Sequence, residues 1–154
     1  ERLYRWVAAW EMFQHRPITG FGQGGFVANY KNYAVSLFTT YVSGNEEHST
    51  VHNYLLFILS EQGVIGFLLF IIVVVMVLIR GQKIYHETMD ATERAIVMGL
   101  LISFVVVLFD NMLSDLMEAV KVGPFFYWII ALLVIQDLKN KNHQTAAVAS
   151  PTLT

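Results

Sequence analysis

His52 and Asn53 are the residues of this chain best placed to do chemistry. An imidazole, which can accept or give up a proton, stands there beside a carboxamide. Directly after them comes the apolar run Y-L-L-F-I-L-S-E-Q-G-V-I-G-F-L-L-F-I-I-V-V-V-M-V-L-I, which carries no charge after Glu61. As a helix, Tyr54–Ile79 would rise about 39 Å at ~1.5 Å per residue, enough to cross a bilayer core of roughly 30 Å. A polar pair at the mouth of a membrane helix suggests chemistry at the membrane surface. The competing reading is that His52 only caps or anchors the helix at the interface.

Arg2 and Arg5 lie next to Trp6. The guanidinium is a planar, permanently charged fork that suits phosphate oxygens. Snorkelling to lipid headgroups is the other fate open to an interfacial Arg. His48 and His52 are four apart, a spacing that brings two metal ligands to one helix face. However, Ser49 stands where a zincin motif needs Glu, Glu47 precedes His48 instead, and no third ligand is evident. No metal and no cofactor are expected. G-F-G-Q-G-G, Gly20 to Gly25, satisfies the dinucleotide fingerprint in letters only. A helix and Pro17 precede it where a strand is required. It reads as a turn in which glycines allow close backbone approach, with N–H groups able to face an anion.

The elements that must position these residues follow from periodicity. Leu3, Trp6, Val7, Trp10 and Phe13 fall on one face of a helix over residues 2–15. Arg2, Arg5, Glu11 and Arg16 make it amphipathic and not spanning. Two Trp on that face suit a helix in the headgroup layer, or one packed on protein. Pro17 ends it. Residues 26–53 read as an exposed loop with one or two short helices. The membrane region is expected over 54–138, with about three spans at 54–79, 95–113 and 122–136. The last two apolar runs are short enough that a paired re-entrant arrangement stays open. Residues 139–154 read as a disordered cytoplasmic tail.

Composition agrees with this layout. The 154 residues are 55% hydrophobic and 14% charged, against ~25% charged in a soluble domain. A net charge of −2 offers no basic field for nucleic acid, and without cysteines there are no disulfides or thiolate metal sites. The 80–94 connection holds Arg80, Lys83 and Arg94, whereas 110–121 holds only Lys121. That asymmetry puts 80–94 and the tail inside the cell and residues 1–53 and 110–121 outside. The chain opens straight into the amphipathic pattern, and reads as the C-terminal piece of a longer protein.

In order, R-L-Y-R-W, P-I-T-G-F-G-Q-G-G-F and H-N-Y-L-L-F-I-L-S-E-Q-G-V-I-G-F resemble the C-terminal part of the O-antigen ligase and O-antigen polymerase superfamily. The resemblance covers about residues 2–75. It implies an all-α, polytopic membrane glycosyltransferase of the GT-C type with one large extracytoplasmic loop. Such an enzyme works multi-pass in the bacterial inner membrane, with its active site on the periplasmic side. It moves a glycan from an undecaprenyl-diphosphate carrier to a sugar hydroxyl on lipid A core or on another lipid-linked glycan. The family's essential loop Arg matches Arg2, with Arg5 as neighbour, and its junction His matches His52. Arg forks would then stabilise the charge growing on the leaving diphosphate, and His52 would take the acceptor's proton. Asn53 would orient His52 or the acceptor. A transporter subunit or membrane scaffold is the competing class. It is disfavoured because 64–79 and 95–109 contain no ionisable residue.

Overall fold

The structure, a computed structural model, describes residues 2–34, 50–113 and 123–149. Among these every regular element is helical: α1 Arg2–His15, α2 Gly25–Tyr33, α3 Tyr54–Glu87, α4 Ala91–Leu113 and α5 Gly123–Ala149. α3 and α4 are long and apolar enough to cross a membrane, so two of the three expected spans meet that measure. The third lies in α5, where Gln136, Asp137 and Lys139 cut the apolar stretch short.

α3, α4 and α5 lie side by side over their length. Phe126 of α5 stacks on Phe104 of α4 at 5.2 Å and on Phe70 of α3 at 6.5 Å. At the other end Asn140 donates to the Thr88 hydroxyl at 2.8 Å, and Lys139 meets Glu93 at 2.6 Å. α4 and α5 are therefore continuous helices along α3, not a re-entrant pair. Helix α5 also runs through Ala149, into the segment read from sequence as a disordered tail. Burial of Asn140 against Thr88, together with the Lys141–Asp137 pair at 2.7 Å, carries the helix past its apolar part.

The short α3–α4 turn is tied by polar bonds. Thr88, 1% exposed, returns its N–H and its hydroxyl to the Ile84 carbonyl, and Arg94 donates twice to the Thr88 carbonyl. Asp90 accepts from the Glu93 N–H at 2.8 Å and caps α4. Gly81 keeps α3 close to α4, since a Cβ there would sit 2.3 Å from Leu101 Cδ2.

Helix α1 spans the residues 2–15 read as an amphipathic helix, and it meets the protein mainly through small side chains. Its buried residues are Arg5, Ala8, Ala9 and Met12. Leu3, Val7 and Trp10, from the expected apolar face, are 69%, 44% and 47% exposed. Two adjacent alanines let α1 come close to α3, and Leu3, Val7 and Trp10 are left facing outward. An outward Leu–Val–Trp face suits the headgroup layer better than a protein core.

Candidate functional site

Gly63 divides α3. Its φ of 65° and ψ of −165° break the helix, which resumes beyond a kink. A break inside an apolar helix strands carbonyls on one side and N–H groups on the other, and these need partners. The Pro17–Gly22 turn supplies them. Phe21 and Gly22 donate to the carbonyls of Ser60 and Glu61 at 3.0 and 2.8 Å. The N–H groups of Val64 and Ile65 donate back to Pro17 and Ile18 at 2.8 and 3.4 Å. The approach leaves no room for side chains on either strand of backbone. A Cβ on Gly20 would lie 2.3 Å from the Glu61 carbonyl carbon, and one on Gly63 would lie 2.4 Å from the Ile18 oxygen.

Glu61 completes the joint, with only 2% of its surface exposed. Its carboxylate accepts from the N–H of Gly24 at 3.1 Å and of Phe26 at 3.0 Å, at the start of α2. A negative charge is favoured at a helix N-terminus, where N–H groups lack internal partners. The glycine turn does hold an anion, as its letters allow, and the anion is the protein's own carboxylate. Sequence reasoning noted Glu61 without giving it a task. The available signal was a lone acid seven residues into an apolar run, which must find partners to be buried.

The four residues singled out from sequence gather at the entrance of α3. Arg5 is 4% exposed and donates to the Thr50 carbonyl at 3.0 Å, with its guanidinium 5.8 Å from the centre of the Tyr30 ring. It holds the strand of chain leading to His52. Arg2, one turn earlier on α1, is exposed, and its Nη1 lies 3.5 Å from the Leu113 carbonyl. Asn53 caps α3, accepting from the Leu56 N–H at 3.1 Å, while its Nδ2 donates to the Met112 carbonyl at 2.9 Å. Arg2 and Asn53 thus reach consecutive carbonyls in the last turn of α4, where donors and positive charge are favourable.

Between Arg5's anchor at Thr50 and the Asn53 cap stands half-buried His52. Its φ of 56° is the only positive value at a non-glycine among the described residues. That left-handed backbone costs about 1–2 kcal/mol for an L residue, and such outliers persist where neighbours over-determine them. Here the neighbours are the Arg5 bond on one side and the α3 cap on the other. Next to Arg5, the buried Nε1 of Trp6 has no hydrogen-bond partner among the described residues. It is a donor next to Arg5 that sequence reasoning treated only as part of an apolar face. His48 lies outside the described residues. Among the described residues no group of three or more His, Asp or Glu could hold a metal ion.

Among the described residues, then, every regular element is helical, two helices are long and apolar enough to cross a membrane, and a polar cluster stands at the entrance of the first. Residues 1–71 match the model of the O-antigen ligase family, so that stretch of the chain is similar to O-antigen ligase sequences. The match takes in α1, the glycine turn, the His52–Asn53 junction and α3 past Gly63. It bears out the resemblance read from the sequence and points to a membrane glycosyltransferase-like role. No curated protein and no solved structure matches the chain.

Proposed function

We propose that the Arg2–His52–Asn53 cluster belongs to the transfer site of an inner-membrane glycosyltransferase. This enzyme moves a glycan from an undecaprenyl-diphosphate carrier to a sugar hydroxyl, either on lipid A core or on another lipid-linked glycan. The observation that carries the reading is the convergence of Arg2 and the His52–Asn53 junction on one end of the helices, at the last turn of α4. The carrier's prenyl tail can stay in lipid beside α3 and α4 while its diphosphate meets Arg2.

The roles divide by exposure. Exposed Arg2 offers its fork to the diphosphate, and charge building on that leaving group strengthens the contact in the transition state. His52 takes the proton of the acceptor hydroxyl. Arg5 and Asn53, both engaged with backbone, hold the junction and act as positioning residues; the sequence reading had Arg5 bind the diphosphate and Asn53 orient His52 or the acceptor. The site faces the periplasm and the Thr88 turn faces the cytoplasm, as the Lys/Arg asymmetry supports.

Glycan transfer by the full-length protein tests this. His52→Ala should lower turnover on the order of 10²–10⁴-fold with normal membrane abundance. Arg2→Lys keeps the charge and loses the bidentate fork, and should also lose most transfer. Wild-type transfer by both variants would reduce the cluster to a helix anchor. Orientation is checked separately by cysteine labelling in spheroplasts. Cysteine at Lys31 should react with an impermeant thiol reagent and cysteine at Met89 should not.

A further inference from the structure

At the end of the molecule away from His52, α3 and α5 enclose a cavity of about 300 Å³. Its walls are Met76, Val77, Ile130 and Val134, and the Arg80–Asp137 pair closes its polar end. Met76 and Val134 are 53% and 52% exposed, so the cavity opens on the outward surface of the helices. In a membrane that surface meets lipid tails.

The charges at the polar end are unevenly placed. Arg80 and Lys141 share one carboxylate, Asp137, at 3.0 and 2.7 Å. The Lys141 hydrogen bond and the charges of Arg80, Lys141 and Lys83 hold that carboxyl below its usual range, so all three cations bear on it. Lys83 also meets Glu87 at 3.5 Å. Three cations against two carboxylates leave one positive charge over. The carboxylate side chain of Asp137 is only 14% exposed, while those of Arg80, Lys83 and Lys141 are 53%, 57% and 54% exposed. The cations therefore present donors outward, above the acid they share.

We propose that this groove is a binding site for an anionic phospholipid. One acyl chain lies on the apolar walls between α3 and α5, and the singly charged phosphate sits among Arg80, Lys83 and Lys141. Charge complementarity picks this occupant over a zwitterionic lipid. The groove separates it from general attraction of surface cations to headgroups, which needs no cavity. The site is independent of the transfer chemistry at the opposite end.

Native mass spectrometry of the full-length protein, released from mixed phosphatidylglycerol and phosphatidylcholine nanodiscs, tests the proposal. Wild type should retain one phosphatidylglycerol in preference to phosphatidylcholine of the same chains. Lys83→Gln with Lys141→Gln, which leaves the Arg80–Asp137 pair intact, should reduce that retention about fivefold or more per charge removed. Val134→Trp fills the groove with all charges in place and should abolish retention, with an unchanged melting temperature. Glycerophosphoglycerol, which has the headgroup but no chains, should not compete. Equal retention of both lipids, or wild-type retention by Val134→Trp, would overturn the site. The second result would leave only headgroup attraction.

Discussion

On the two sides of Gly63, α3 is built on opposite rules. Before it, Glu61 and Ser60 are buried at 2% and 0% exposure, and the helix is joined to its neighbours through backbone and charge. After it, Ile65, Leu68, Leu69, Ile72 and Met76 are all more than half exposed, and as far as Ile79 contact with α4 and α5 is apolar. In water the second half would be unstable, and in hydrocarbon the first half would be if left unpartnered. The difference locates specificity. The polar half fixes the geometry of the His52 junction in detail, while the apolar half asks only for length, packing and lipid.

That contrast can be broken most severely at its hinge. Gly63→Ala would force a Cβ to within 2.4 Å of the Ile18 oxygen and impose a left-handed backbone on alanine. It should cost about 3 kcal/mol or more, seen as a lowered melting temperature of the purified protein and loss of transfer. A stable, active variant would mean that the break in α3 is incidental.

Glu61→Gln sharpens the comparison. It keeps one acceptor and removes the charge facing the start of α2, leaving an N–H group short of a partner. The expected loss is about 1.5–3 kcal/mol, with protease cleavage of the glycine turn rising in parallel. Unchanged protease resistance would show that the turn holds without its buried anion. Substitution of the nearby exposed Leu68 by Ala should do far less, since no packed core is opened there.

Asn53→Ala is the mildest test. It removes the α3 cap and the link to Met112, for about 1–2 kcal/mol. Asn53→Asp restores the cap acceptor but not the donor to α4. If transfer falls in both variants while stability recovers in Asn53→Asp, the link to α4 positions His52. If transfer follows stability alone, Asn53 is only a cap.

Much of the helical layout was legible because the physical signals are local. A run such as 54–79 can be satisfied only as a helix in an apolar setting, and the P-I-T-G-F-G turn after a periodic segment must end it. What covers the face of α1 stayed open in the sequence, because periodicity locates bulky residues and does not say what they meet. Ala8 and Ala9 won the protein contact by allowing close approach, which is a property of the pair of surfaces. The extension of α5 past Lys139 was likewise hidden, because the partners that stabilise it, Glu93 and Thr88, are about 46 and 52 residues away.

The sequence by itself determined the class of the molecule, the entrance at His52–Asn53 and the arginines beside it, since composition, run length and residue chemistry are properties of single segments. Only the tertiary structure decided that Glu61 fills the glycine turn, that Gly63 divides α3, and that Arg5 is buried while Arg2 is exposed. Each of those depends on a buried polar group finding a partner far along the chain, and such partners come within hydrogen-bond distance only when the helices pack.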